Sequence, residues 1–466
     1  MVYRIPQLDI PADNPFKNDV LDRRPVVEFL AGLIGRAGGP FVLTLDSPWG
    51  SGKTTLIRML EVELKRQDYC CIYFNAWQVD YVTDPLVALV GSIDSLASQI
   101  PKAVAPFKKK LKKLRNLTSV VAKRTVVAAA KVLTVGALDL DKEVEAAAAA
   151  LAGGAAGDIV DVFLRERSVL EKFRTELEEA IALLPTAEKK PTLVFFVDEI
   201  DRCRPTFAIE LLERIKHLFD VPNILFVLSL DKQQLEASIS AVYGQNMNAA
   251  EYLRRFIDLE YVIPTAKTKK YVDSLLSRFA LEEIFARRGK HGDLRYDRDN
   301  FRDYFSTLAE ATSLSLRAQE RCFTRLRVVM DQTPDNHYLH PILVALLIVL
   351  KSVKPGLFLG VCRGESSASD VMAYLEALPT GEKLVADRSG ILIEAFLIAA
   401  DNDQERRSAT IDRLKGASAD NEITEQARRR ANEVLEMIGH VGGPFRGEPN
   451  LRQISSKIDL AGGLSN

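Results

Sequence analysis

The sequence predicts an α/β fold, a parallel sheet with helices on both faces, followed by an all-α region. Short, continuously apolar runs recur through the first 264 residues, separated by segments of helical periodicity. A glycine-rich loop, Ser47-Pro48-Trp49-Gly50-Ser51-Gly52-Lys53-Thr54-Thr55, joins the first of these runs to a helix. Beyond Pro264 strand signals fade and helical patterns run to the end of the chain.

Taken in order, Arg23 to Arg36 reads as an amphipathic helix ended by Gly38-Gly39-Pro40. Phe41-Val42-Leu43-Thr44-Leu45 is an apolar strand, and Thr54 to Leu64 is helical by periodicity. Further strands are expected at Cys70 to Phe74, Leu193 to Val197 and Ile224 to Leu228, with a helix over Phe207 to Phe219. From about residue 100 to 157 the character changes. Ile100 to Leu138 carries ten Lys/Arg and no acid, and an alanine- and glycine-rich stretch follows. This segment reads as an insertion between sheet elements. Lys123, Arg124 and Lys131 interrupt its best apolar stretch, which is short of the roughly 20 residues a membrane helix needs, so no span is expected. Pro341 to Leu350 is strongly apolar but too short to cross a bilayer, and is expected to be the buried helix of an all-α domain.

A chain of 466 residues with 47% hydrophobic content can bury a large core. Its net charge of −1 excludes polyanion binding by bulk attraction, leaving only local patches for such a role. The five cysteines form no CxxC pair and have no histidine at metal-ligand spacing, as expected of buried thiols in a reducing cytosol. The first thirty residues lack the apolar core of a signal peptide, and a cytoplasmic protein is expected.

The loop from Ser47 to Thr55 has the context of a Walker A motif, strand before and helix after. Gly50 and Gly52 let the backbone approach phosphate oxygens, and the neighbouring N–H groups of the loop, Trp49 to Thr55, with the helix dipole form an anion nest, Pro48 having no N–H to add. Lys53 is placed to reach the β- and γ-phosphates, and the Thr54 hydroxyl to ligate Mg²⁺. Ser47 stands where the first glycine of the motif usually is, a position that serves loop geometry more than phosphate contact. The strand Leu193 to Val197 ends in Asp198-Glu199, the pattern of a Walker B strand. Asp198 would hold the metal, and Glu199 would polarise the attacking water. Ser229 and Asp231 end the next strand, where Ser229 could sense the γ-phosphate and Asp231 could do so or cap the following helix. Trp77 is expected in the core, and Asp201 either near the metal or capping the helix near Thr206.

These residues resemble the KAP P-loop ATPases. The resemblance is carried by the Walker A loop, Phe74-Asn75-Ala76-Trp77-Gln78, and Phe196 to Pro205. Ile209 to Lys216, Tyr252 to Asp258 and Ser313 to Arg317 also match, so that it runs from about residue 15 to 325. It implies an additional-strand, AAA+/STAND-like P-loop NTPase core over 1–264, a helical lid over 265–335 and a helical C-terminal domain over 336–466. It implies ATP as the nucleotide; that choice rests on the resemblance alone, there being no N-K-x-D guanine motif to read. Arg317 would be a sensor arginine, and Arg254 or Arg255 a finger reaching a neighbouring subunit. A homo-oligomer, an effector partner and a role in defence against phage or plasmids also follow from the resemblance. Many relatives carry membrane helices where this chain has its basic segment, so membrane anchoring is not expected here.

Lys108 to Arg115 places six cations in eight residues. Such a run suits salt-sensitive contact with DNA or RNA, an anionic membrane surface, or simply a solvated helix. The scattered histidines suggest no second catalytic centre. His337-x-x-His340 beside Asp335 is a faint metal candidate that a loop before Pro341 explains better. The leading expectation is an ATP-driven switch or motor. The alternatives are a non-hydrolysing scaffold that binds ATP and a DNA-acting translocase or loader using the basic run.

Overall fold

The computed structural model describes residues 3–6, 8–99, 105–118, 156–184, 189–264, 268–441 and 449–459. The chain divides into two compact units, Leu8–Pro264, and Thr265–Asn466 together with Met1–Gln7.

The first unit is built on five parallel strands: β1 (Phe41–Asp46), β2 (Cys70–Asn75), β3 (Leu193–Asp198), β4 (Ile224–Leu230) and β5 (Leu259–Val262). Their order across the sheet is β2-β3-β4-β1-β5. β4 is therefore inserted between the strand that leads into the phosphate loop and the strand that carries Asp198, the additional-strand arrangement. The central strands are apolar on both faces because both faces are covered. Leu43, Val194, Phe196 and Val227 point to one side, against helices Arg24–Ala37 and Lys53–Arg66. Ile72, Phe195, Phe226 and Leu228 point to the other, against Pro85–Gln99 and Pro205–Leu218. The register pairs Asn75 with Asp198 and Asp198 with Ser229, so three polar strand ends finish level beside the loop after β1.

Of the basic segment, residues 105–118 form a helix whose apolar side, Phe107, Leu111 and Leu114, joins the core. Lys110 and Lys113 pair with Glu176, and Arg115 with Asp94, so half of the six cations are matched by acids of the same unit. The alanine- and glycine-rich stretch, with Lys123, Arg124 and Lys131, lies outside the described residues. No helix among the described residues is long and apolar enough to cross a membrane.

Every described element of the second unit is helical. Its core is the helix Pro341–Val353, buried on all sides from Pro341 to Leu350, as its unbroken apolar run requires. Asp297–Ala311 packs against it, and Phe301, Phe305 and Phe323 form an edge-to-face cluster beside it. Arg288 and Asp297 are fully buried as an ion pair at 3.3 Å. The guanidinium also donates to the Pro334 and His337 carbonyls, which answers the cost of burying it.

Candidate nucleotide site

The loop after β1 takes its shape from Gly50 and Gly52, both left-handed at φ 80° and 87°, a region side chains disfavour. Ser47 is buried but not left-handed; its N–H donates to the Leu230 carbonyl at 3.3 Å, so a glycine is not needed there. Arg23, buried beneath the loop, donates to the carbonyls of Ser51 and Pro264 at 3.2 and 2.8 Å and ties the loop to the end of β5.

Lys53 opens the helix Lys53–Arg66, and its ammonium donates to the carbonyls of Ser47 and Pro48. Burial lowers its pKa, against the pull of Asp201, Asp231, Asp46 and Asp198. The Ser51 hydroxyl is buried without a hydrogen-bond partner among the described residues. A desolvated ammonium and an orphaned hydroxyl beside free helix-end amides fit an anion at this loop.

Asp198 gathers the strand ends. Its Oδ2 accepts from the Thr54 hydroxyl and from the Tyr73 phenol, both at 2.8 Å, and its Oδ1 from the Ser229 hydroxyl at 2.9 Å. Burial and the Asp198 charge push the Tyr73 phenol well above its ordinary range, so it stays a donor. The Tyr73 ring in turn lies under the Arg58 guanidinium, 3.1 Å from the ring centroid. Carboxylate and hydroxyl oxygens in this grouping fit a hard divalent cation that completes its shell with phosphate and water.

Glu199 has left-handed backbone, φ 62° and ψ 27°, where the chain turns from β3 into the short 3₁₀ turn Ile200–Arg202. Non-glycine residues rarely hold this conformation. Its carboxylate is held at both oxygens: Asn75 Nδ2 donates to Oε2 at 3.0 Å, and Arg202 to Oε1 at 2.5 Å. The Arg202 guanidinium sits 5.8 Å from the rings of both Trp49 and Trp77. The Trp49 indole donates to Asp201, whose pKa burial raises and that hydrogen bond restrains.

The structure thus brings Lys53, Thr54, Asp198, Glu199 and Ser229 together. Two expectations need correction. Trp77 is not core: it is 52% exposed, beside Arg202. Asp201 does not cap the next helix, Pro205–Leu218, whose N-cap position is Arg204 with no side-chain cap; its carboxylate is turned to Trp49. Asp231 is a helix cap, accepting from Gln234 N, and it also accepts from Trp49 N at 3.2 Å. Arg254 and Arg255 follow the helix Ala249–Leu253 and are exposed; Arg254 pairs with Glu251, and Arg255 lies near the Tyr252 ring. Arg317 lies in the first turn of the second-unit helix Leu316–Asp331.

Sequence reasoning missed Arg23 and Tyr73 as site residues, and saw Asn75 and Arg202 only as parts of matching stretches. A polar residue ending an otherwise apolar strand, as Asn75 ends β2, was the available signal. Among the described residues no cluster of three His, Cys, Asp or Glu could hold a metal, which removes the His337–His340 candidate.

A family profile described as KAP family P-loop domain matches residues 23–331. Comparison with the curated proteins returns no match. Among solved structures the chain is similar to C. elegans PCH-2, at 14% identity and a TM-score of 0.31, over 72% of this chain and 68% of that one. It is also similar to the Aeropyrum pernix ORC2 protein (ADPNP-ADP complexes), at 14% identity and a TM-score of 0.29, over 99% of this chain and 98% of that one.

Proposed function

The chain belongs to the KAP family of P-loop domains, and from that membership we propose that it binds ATP with Mg²⁺ and hydrolyses it as a molecular switch or motor. The carrying observation is the convergence of the Thr54 and Ser229 hydroxyls on the Asp198 carboxylate, at 2.8 and 2.9 Å, with Glu199 the next residue.

In this reading the loop from Pro48 to Thr55 cradles the phosphates with its amides, and Lys53 leaves its carbonyl partners to meet them. Thr54 and Asp198 would hold Mg²⁺, which when bound offsets phosphate charge. Glu199, positioned by Asn75 and Arg202 at its two oxygens, would take the proton of the attacking water. Ser229, on the strand between loop and acid, would report the phosphate to β4. By family resemblance, helices 268–331 act as a lid carrying Arg317 as sensor, and the helices after them form the C-terminal domain. The exposed Arg254 or Arg255 serves as a finger to a neighbouring copy. Resemblance likewise suggests a cytoplasmic homo-oligomer acting with an effector protein in antiphage or anti-plasmid defence.

The test is ATP turnover across a protein concentration series, with Glu199→Gln in parallel and DNA as an additive. Turnover that rises with concentration and disappears in the variant is expected. Concentration-independent turnover by a monomer in light scattering would remove the finger. ATP binding without turnover, with or without DNA, would favour the scaffold reading, for which the Arg202 pairing of the Glu199 carboxylate is the structural support. Stimulation by DNA would favour the translocase reading, which has only the partly matched basic helix behind it.

A further inference from the structure

The second unit contains a cavity of about 160 Å³ that has no part in the nucleotide site. It lies between the end of helix Leu316–Asp331, the loop that follows it, the start of Pro341–Val353 and the helix Leu451–Asp459. Lys457, Thr333, His337, His340 and Gln453 supply its polar lining, while Val329, Val344 and Ile454 supply an apolar wall.

Its charge is one-sided. No Asp or Glu lines it, and no ion pair involves Lys457 among the described residues. The nearby acids are engaged elsewhere: Asp335 with Arg287, Asp297 with Arg288, Asp331 with Arg327 and Asp459 with Lys351. Lys457 is half-buried and donates to the Thr333 hydroxyl at 3.1 Å. Burial and the buried Arg288 behind it both lower its pKa, and no acid raises it. An ammonium in a partly desolvated cavity lined by no acid is stabilised by an anion placed against it. His337 and His340, which the sequence offered as metal ligands, sit instead as polar walls beside this cation.

We propose that this cavity binds a small organic oxyanion, its charged end on Lys457 and Thr333 and a compact apolar body against Val329, Val344 and Ile454. The size fits, since a cavity of about 150 Å³ takes one benzene ring. The ligand is therefore a carboxylate or phosphate carrying about one small ring, far smaller than a nucleotide. Its place in the helical unit makes it a second input, separate from the phosphate loop.

The experiment is isothermal titration of the full chain with benzoate, its neutral analogue benzamide, and inorganic phosphate. Benzoate should bind and benzamide should not. Lys457→Met should weaken benzoate at least about tenfold, the loss of one charge-assisted hydrogen bond. Lys457→Arg should retain binding, which guards against a folding defect in the first variant, and Lys53→Ala should leave benzoate unaffected. Phosphate heat that survives Lys53→Ala and disappears in Lys457→Met would identify a phosphate ligand. Equal binding of benzamide, an unchanged affinity in Lys457→Met, or no heat from either anion at millimolar concentration would overturn the proposal. None of these outcomes depends on ATP turnover, so the nucleotide reading can fail without it.

Discussion

Asn75 donates to Glu199 from the end of the neighbouring strand, Nδ2 to Oε2 at 3.0 Å, across 124 residues of sequence. With Arg202 on the other oxygen, both oxygens of the carboxylate best placed to act as a base already accept from a donor, which lowers their basicity. Glu199→Gln is expected to keep nucleotide affinity and lower turnover by about 10²- to 10⁴-fold, the usual worth of a general base. Arg202→Met, which frees Oε1, is expected to raise basal turnover severalfold. Steady-state phosphate release checks both. A fall in Arg202→Met as deep as that of Glu199→Gln would mean that Arg202 aims the base and does not restrain it.

Thr54→Ala removes a hydroxyl that Asp198 accepts at 2.8 Å and that is read as a metal ligand. The Mg²⁺ concentration for half-maximal binding of a fluorescent ATP analogue should rise by at least about tenfold. Ser229→Ala, which removes the hydrogen bond on the other oxygen, should give a smaller shift. Identical Mg²⁺ titrations for wild type and Thr54→Ala would rule out that hydroxyl as a ligand.

Arg288→Met breaks a fully buried ion pair, removing the guanidinium that Asp297 meets at 3.3 Å. A loss of about 3–5 kcal/mol is expected in urea denaturation followed by circular dichroism. Exposed Arg254→Met, which loses an i,i+3 surface contact with Glu251, should cost under about 1 kcal/mol.

Four of the five cysteines are buried and Cys362 is half-buried. Burial pushes the Cys70 thiol up to about 11, and Cys71 and Cys203 higher still. Since the thiolate is the reacting form, iodoacetamide at pH 8 should label Cys362 first in the native protein and all five cysteines in urea. The Cys70 rate should climb about tenfold per pH unit until the pH reaches its raised pKa. Early labelling of Cys203 by mass spectrometry would contradict its burial.

Strands β1 to β4 and the glycine loop with Lys53 and Thr54 were legible because each is announced locally, whereas the largely exposed β5 carries no such apolar run. An apolar run marks the strand, glycines mark the turn, and a lysine and threonine follow at fixed spacing. What surrounds Glu199 was not, because it depends on register. Tyr73 and Asn75 reach Asp198 and Glu199 only because β2 pairs with β3 so that Asn75 lies opposite Asp198. Trp77 was misjudged for a related reason. An indole is assigned to a core by composition, yet here it lies past the end of β2, at the sheet's edge, where the surface is open. The helix at Pro341 was read correctly because ten successive buried positions leave no polar face to misplace.

The chain has two tryptophans, and they are the two that flank Arg202. All of its indole fluorescence therefore originates beside Glu199. If Arg202 swings away from that carboxylate, the charge next to both emitters moves, and intensity and wavelength change together. The protein carries a built-in optical gauge of the residue proposed as its base, readable without a label, in stopped flow, on mixing with nucleotide.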